Sequence, residues 1–287
     1  MVDGCEDNWV GVMACISPGE GSLDYFPCRY GNSRLIFRGP QRDVERAYVA
    51  ALGGTETYGK FVTAPYPDLL ERELGLPVTN LGLMNAGPDV FLHEVEITRI
   101  AARACVTVVQ LLGAQNLSNR YYAVHPRRND RFLGATPLLR SMFPRVDFTE
   151  FTFTRHMLRS LQHNAPDRFE VVAEELRAAW VTRMKQLLAR LNGRTVLLWM
   201  ADIAPPSPVR RVDLAQSPML VDVEMVAAIR PLASAYVQSV SSAEARAQGL
   251  AGMSYAPLDA PAATGVPGPW VHREVADALL PVIQGLI

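Results

Sequence analysis

The sequence predicts an α/β fold in which helices cover both faces of a parallel sheet. Short, uncharged runs rich in β-branched residues alternate along the chain with longer segments whose apolar residues recur at helical spacing. Glycine or another turn residue closes most of these runs, and no internal repeat interrupts the alternation. Strands and helices that alternate in this way build a parallel sheet with helices on both faces.

The individual elements follow from length and periodicity. A run of five to seven apolar residues closed by glycine is too short for a core helix, so it is predicted to be a buried strand. The predicted strands are 48–52, 78–82, 106–112, 195–200 and 235–240. The predicted helices are 66–74, which ends before the C-cap residue Gly75, and then 89–104, 168–191, 221–233 and 271–285.

Two segments do not fit the alternation. Residues 1–44 are rich in turn signals and are predicted to be an N-terminal arm that packs on the domain. Residues 114–165, rich in arginine and aromatic side chains, are longer than a connector and are predicted to be an inserted cap region. Within that insertion, residues 147–156 alternate aromatic and polar side chains, which favours a strand or hairpin. The prediction is a single domain over 1–287.

Composition excludes several classes of function. The net charge of −1 over 287 residues leaves no global basic field, so nucleic acid is not a predicted partner. The sequence contains no run of about 18 apolar residues, so no transmembrane segment is predicted. The four cysteines show no metal-ligand spacing, the first residues lack the features of a signal peptide, and no phosphate-binding loop is present. We therefore predict a cytoplasmic protein without metal or cofactor and leave a homo-oligomer open.

The residues that follow the predicted strands point to a common site. Ligands bind beyond the carboxyl ends of parallel strands. Thr55 follows the first strand, Gly82 and Asn85 follow the second, Asn116 follows the third, and His272 lies near the start of the last helix. A hydroxyl, a glycine N–H, an amide and an imidazole at one edge of a sheet could supply a nucleophile, an oxyanion hole and a base.

This arrangement resembles the SGNH (GDSL-type) hydrolase family. Residues 51–59, Ala-Leu-Gly-Gly-Thr-Glu-Thr-Tyr-Gly, are similar without a gap to the first block of that family, Phe-Leu-Gly-Asp-Ser-x-Thr-Tyr-Gly. The resemblance places the nucleophile on Thr55 and puts Gly54 where the family has aspartate. It covers about 47–285 apart from the insertion, and it implies a three-layer, flavodoxin-like fold.

The remaining blocks of the family follow in order. Asn-Leu-Gly at 80–82 implies that Gly82 offers its N–H to an oxyanion. Gly-Ala-Gln-Asn at 113–116 is similar to Gly-x-Asn-Asp and implies an amide donor on Asn116, one position late. Pro-Trp-Val-His at 269–272 keeps the base His272 but has proline where the family has aspartate. Residues 52–59 and 124–132 are also similar to a bacterial family whose chemistry these motifs do not reveal.

The departures leave three functions open. The Thr55 methyl crowds the line along which the hydroxyl oxygen would attack a substrate. In serine proteases, loss of the aspartate that orients the catalytic histidine lowers the rate about 10⁴-fold. The first function is a divergent hydrolase or acyltransferase acting on an anionic small molecule or lipid precursor. The second is a non-hydrolytic binding protein on the same scaffold. The third is a sulfotransferase-like group transferase with an anionic donor.

Substrate contacts are predicted at two places. Gly54, Glu56 and Asn85 flank the Thr55 hydroxyl, and Glu56 is either an alternative base or an exposed residue at a helix start. Arg127, Arg128 and Arg131 lie within five residues of one another, because the run 125–131 reads His-Pro-Arg-Arg-Asn-Asp-Arg. They form either an anion clamp over the site or a solvated surface run.

Overall fold

A computed structural model describes residues 23–191, 193–208 and 213–287. Its strands are β1 Val49–Gly53, β2 Val78–Gly82, β3 Val106–Gln110, β4 Tyr122–His125, β5 Arg128–Ala135, β6 Thr195–Ala201 and β7 Ala235–Val240. Its helices are α1 Thr55–Tyr58, α2 Tyr66–Leu74, α3 Pro88–His93, α4 Val95–Arg103, α5 Pro137–Met142, α6 Thr154–Asn164, α7 Pro166–Arg190, α8 Val223–Ile229, α9 Ala243–Ala247, α10 Ala260–Ala263 and α11 Pro269–Gln284. Three short 3₁₀ turns span Phe148–Glu150, Arg230–Leu232 and Pro257–Asp259.

The main sheet confirms the predicted fold class. Its five strands lie in the order β2-β1-β3-β6-β7, and every neighbouring pair is parallel. Counted within the sheet, this is the order 2-1-3-4-5 of flavodoxin-like folds. The order in which strands are added reverses at β1, because β2 lies on one side of it and β3 on the other. A crevice therefore opens at the carboxyl ends of β1 and β3.

Two apolar layers flank the sheet because side chains alternate between its faces. Leu52 and Leu197 face one core, which contains residues of α3, α4 and α7. Val49 and Val196 face the other core, which α2 and α11 complete. The sheet is therefore buried between two helical layers, as the uncharged strands require.

The predicted helix 89–104 is two helices that break at Glu94. This residue adopts φ −102° and ψ 83°, outside the helical region. Its carboxylate accepts a hydrogen bond from Ser33 Oγ at 2.8 Å and lies 3.8 Å from Arg127 Nε. These partners come from distant parts of the chain, which periodicity does not register.

The insertion 114–165 contains the antiparallel pair β4–β5 followed by α5 and α6. The strand or hairpin predicted for 147–156 is wrong. Asp147 instead accepts a hydrogen bond from the Thr149 N–H and starts a 3₁₀ turn, and α6 begins at Thr154. Strand pairing in this segment is limited to one isolated antiparallel bridge, between Arg131 and Phe153.

Residues 1–22 of the predicted arm lie outside the described residues. In the described part, Cys28 pairs with Phe37 in an antiparallel bridge. Arg38 then inserts beneath the loop after α1, where it donates to Tyr58 O at 3.3 Å, Gly59 O at 2.6 Å and Thr63 O at 2.8 Å. The division into arm, cap and single domain stays a prediction. Among the described helices, none combines the length and apolar character that a membrane span needs.

Candidate functional site

A cleft of about 1320 Å³ opens at the carboxyl ends of β1, β3 and β6. Thr55, Glu56, Asn85, Gln115 and Asn116 all line it. Topology therefore brings together most of the residues that were predicted to follow the strands. Within the described ranges, no group of three or more histidine, cysteine or acidic side chains is arranged to hold a metal ion.

Thr55 is the first residue of α1, directly after β1 and the N-cap residue Gly54. Its Oγ1 accepts a hydrogen bond from the Asn85 N–H at 2.9 Å. Asn85 lies in the left-handed region at φ 55°, which asparagine tolerates better than most residues. The N–H of Thr55 belongs to the first turn of α1 and has no partner within that helix. Two backbone donors thus lie around the predicted nucleophile.

Gly82 is not the oxyanion donor. Its N–H donates to Asn80 Oδ1 at 2.9 Å, and Gly82 does not line the cleft. A Cβ at this position would lie 2.3 Å from Tyr58 N, so glycine is required there for the close packing of β2 against α1. The backbone donor beside the Thr55 hydroxyl belongs to Asn85, three residues later.

Asn116 lines the cleft, but its side chain fastens two loops together. Its Nδ2 donates to Asn85 O at 2.9 Å, and its Oδ1 accepts from Thr154 Oγ1 at 2.7 Å. Gln115 lines the cleft beside it, and its buried Oε1 has no hydrogen-bond partner among the described residues. A gapless comparison of 113–116 with the family block places Gln115, which the sequence interpretation missed, at the amide position.

Gln110 holds the loop that carries Thr55, and the sequence interpretation missed it. Its buried Oε1 accepts from Gly54 N at 2.9 Å, Thr57 N at 3.2 Å and Thr57 Oγ1 at 2.6 Å. Its Nε2 donates to Glu56 Oε2 at 2.8 Å. A single amide in the otherwise apolar end of β3 was the available signal, because buried polar groups almost always have partners.

His272 is not placed to act as the base. It is buried in α11, outside the cleft lining, and its ring stacks on Tyr66 with 6.2 Å between centroids. Its Nδ1 accepts the Tyr66 N–H at 3.1 Å, so the neutral ring carries its proton on Nε2. A triad base needs the opposite tautomer, with Nε2 free to accept the nucleophile's proton.

His272 takes part in a chain of contacts between helices. The Tyr66 hydroxyl is hydrogen bonded to Thr57 Oγ1 at 2.9 Å, so His272, Tyr66 and Thr57 connect α11 to the loop that carries Thr55. Desolvation, and secondarily the charge of Arg38, lower the pKa of His272 to about 3. The imidazole therefore stays neutral throughout the physiological range.

This burial predicts an acid-dependent loss of stability. Since the unfolded chain binds the His272 proton near pH 6.5 and the folded chain only near pH 3, stability falls as the pH is lowered through that window. Relative to His272→Asn, which keeps a hydrogen-bond acceptor, the wild type should lose about 1.4 kcal/mol more per pH unit between pH 6 and pH 4. Urea unfolding at several pH values measures the difference. The exposed-site control His163→Asn should follow the wild type, and parallel curves for wild type and His272→Asn would contradict the prediction.

The arginines predicted to clamp an anion do not line the cleft. Arg127 Nε lies 3.8 Å from Glu94 Oε1, and the Arg131 guanidinium lies over the Phe153 ring at 4.4 Å from its centroid. Arg128 is exposed at the start of β5. Of the run 125–131, Asp130 lines the cleft, whereas the three arginines do not. The basic residues that do line the cleft are Lys60, Arg155, His156, Arg159 and Arg246.

Glu56 lines the cleft, whereas Gly54 lies behind it. The Glu56 carboxylate turns toward Gln110, and a Cβ on Gly54 would lie 2.9 Å from Glu56 Oε2. The predicted contact of Gly54 with a substrate is replaced by its hydrogen bond to Gln110. Of the predicted substrate contacts, the structure brings Glu56 and Asn85 to the cleft beside Thr55.

Comparisons with known proteins give one family and several similar structures. A family model described as a domain of unknown function (DUF6473) matches residues 13–287. No curated protein matches the chain. A carbohydrate esterase family 2 enzyme with a carbohydrate-binding domain from Corynascus thermopiles (Myceliophthora fergusii) has a TM-score of 0.45 at 11% identity, over 86% of this chain and 68% of that one.

Two further structures show the same level of similarity. A family two carbohydrate esterase from Clostridium thermocellum, in complex with cellohexaose, has a TM-score of 0.40 at 13% identity, over 88% of this chain and 68% of that one. A Parabacteroides merdae protein described as a GDSL-like lipase has a TM-score of 0.40 at 15% identity, over 84% of this chain and 96% of that one.

Proposed function

The chain belongs to the DUF6473 family, and we propose that it binds a small polar ligand in the cleft over Thr55 without hydrolysing it. The observation that carries the proposal is the hydrogen bond from the Tyr66 N–H to His272 Nδ1. This bond fixes the histidine in the tautomer that cannot take a proton from a nucleophile. The residues of a hydrolase-like site are thus partly retained, but the proton acceptor is not.

The surroundings of the Thr55 hydroxyl support binding over catalysis. Among the described residues, the hydrogen bond to Thr55 Oγ1 comes from a backbone N–H, which donates and does not accept a proton. The nearby Glu56 carboxylate is engaged by Gln110 Nε2. Because its oxygen accepts from the Asn85 N–H, the Thr55 hydroxyl can donate its own proton to a ligand. Together with the Thr55 N–H at the start of α1, it is suited to hold an oxygen of a bound molecule.

The size of the cleft bears on the kind of ligand. Its volume of about 1320 Å³ exceeds the range of roughly 300–1,000 Å³ that is usual for drug-sized ligands. An extended molecule with several polar groups fits such a space better than a compact one. We propose an anionic small molecule, with an oxygen held at Thr55 and the remainder along the cleft.

Ester hydrolysis tests the proposal. We expect the wild type to hydrolyse 4-nitrophenyl acetate no faster than Thr55→Val, which keeps the shape of the side chain and removes its hydroxyl. Rates are measured by the release of nitrophenolate over protein-free buffer. Activity in the wild type that Thr55→Val abolishes would overturn the non-hydrolytic proposal.

The second candidate is a hydrolase or acyltransferase in which Glu56 acts as the base. It is favoured by the position of Thr55, partly exposed in the cleft and next to the Asn85 N–H. It requires Glu56 to leave Gln110 and turn toward Thr55. Its signature is activity that Thr55→Val and Glu56→Gln remove and His272→Asn retains. A group transferase would instead be stabilised by an adenine nucleotide that carries an extra phosphate or sulfate.

We also propose a cytoplasmic location. Cys28 and Cys105 are free thiols, as is common where thiols are kept reduced. Size-exclusion chromatography with light scattering would measure whether the chain forms a homo-oligomer.

A further inference from the structure

Helix α6 brings two arginines to one wall of the cleft. Arg155 and Arg159 are four residues apart, which places them as neighbours on one face of the helix, and both line the cleft. Like charges at this spacing destabilise a helix by about 0.2–0.5 kcal/mol.

No carboxylate of the described residues forms an ion pair with either arginine. By contrast, Arg42 and Arg183 lie 2.7 Å and 2.8 Å from carboxylate oxygens. Partial desolvation, and then the neighbouring charge of Arg159, lower the pKa of Arg155, and Glu56 opposes this effect only in part. Both arginines are exposed, and four carboxylates also line the cleft: Glu56, Asp130, Asp202 and Asp213. Since none of these forms an ion pair with either guanidinium, the two groups are available to a ligand within the part of the chain that the structure describes.

A chain of hydrogen bonds fixes α6 relative to Thr55. Thr154, the first residue of α6, donates to Asn116 Oδ1, and Asn116 Nδ2 donates to Asn85 O. The Asn85 N–H then donates to Thr55 Oγ1. Arg155 follows Thr154 directly, so its place in the cleft is set by the same bonds that set the donor beside Thr55.

The start of α6 adds to the positive potential. Its N-cap residue, Phe153, makes no side-chain capping bond, and residues 153–156 all line the cleft. The first-turn N–H groups of a helix and its dipole favour an anion at this end. Lys60, whose ammonium lies 4.5 Å from the centroid of the Phe61 ring, contributes a further cation to the same cleft.

We propose that Arg155 and Arg159 form a subsite for a phosphate- or sulfate-type oxyanion. Guanidinium groups offer paired donors that match the oxygens of such anions. The inference rests on the proposed ligand binding in the cleft, and it gives the charged end of that ligand a location distinct from the Thr55 donors.

Isothermal titration calorimetry tests this subsite with sodium sulfate, sodium phosphate and glucose 1-phosphate, at constant ionic strength. We expect the wild type to bind at least one probe and the double variant Arg155→Gln/Arg159→Gln to bind it about 100-fold more weakly, since two charge-assisted contacts are lost. The double variant Arg127→Gln/Arg128→Gln has the same change in charge outside the cleft and should bind like the wild type. Tighter binding of the sugar phosphate than of both free ions would identify an esterified group, and the reverse a free ion.

The results that would overturn the subsite differ from the result that would overturn the proposed function. Equal affinity in the wild type and the Arg155→Gln/Arg159→Gln variant, or no binding of any probe by the wild type at millimolar concentration, would overturn the subsite. Loss of affinity in the Arg127→Gln/Arg128→Gln variant as well would overturn it too, because the effect would then follow net charge alone. Ester hydrolysis that depends on Thr55 would overturn the proposed function and leave these titrations unaffected. Circular dichroism establishes that each variant is folded, and release of the repulsion should raise the Tm of Arg155→Gln/Arg159→Gln.

Discussion

Replacing Gly82 by alanine is expected to lower the free energy of unfolding by about 3 kcal/mol. The new Cβ would lie 2.3 Å from Tyr58 N and 2.7 Å from Thr57 C. Both are backbone atoms of α1 and cannot rotate away, so the helix that carries Thr55 must shift. Urea unfolding followed by circular dichroism measures the loss.

Gly134→Ala is the matched control. Gly134 lies in β5, and a Cβ there would meet no atom of the described residues within 4 Å. Its free energy of unfolding should stay within about 0.5 kcal/mol of the wild type. If the two variants unfolded at the same urea concentration, close packing would not be the reason for glycine at position 82.

Gln110→Leu is expected to have an effect of similar size. Leucine fills the space but accepts no hydrogen bond, so the donors of Gly54 and Thr57 lose a buried acceptor. Each buried donor left without a partner costs about 1–3 kcal/mol, and the sum should reach about 3 kcal/mol or more. Chemical unfolding measures this loss, and faster amide exchange over residues 54–58 would locate it.

Gln238→Leu provides the comparison for this change. Gln238 lies on β7 of the same sheet, but its side chain is exposed. The same chemical change there should alter the free energy of unfolding by less than about 0.5 kcal/mol. Similar losses in the two variants would mean that the effect follows the residue type and not the three hydrogen bonds.

The buried strands could be predicted from sequence because their cause is local. Uncharged, β-branched runs identify buried strands, and the bounds of β2 and β7 match the prediction. The break at Glu94 and the start of α6 at Thr154 could not be predicted in this way. The first depends on Ser33 and Arg127, and the second on a turn capped by Asp147 within an alternating aromatic run.

The sequence brought Thr55, Asn85 and Asn116 to one edge of the sheet, where they line a cleft, but it did not predict how the atoms around Thr55 are arranged. Strand order alone places Thr55 at the switch point of the sheet. Which N–H approaches its hydroxyl depends on the positive φ of Asn85 and on Asn80, whose side chain occupies the Gly82 N–H. The tautomer of His272 depends on an N–H that is 206 residues away in sequence. Such relations arise only when distant segments meet.

The contact between Tyr66 and His272 also sets the order in which the protein can mature during synthesis. The loop that carries Thr55 emerges from the ribosome well before α11, which supports it through Tyr66, since Tyr66 and His272 are 206 residues apart. Domains are synthesised from the N-terminus, and contacts between distant residues form late. A nascent chain therefore exposes the apolar face of α2 until α11 docks, and the loop around Thr55 reaches its final geometry only after α11 has been translated.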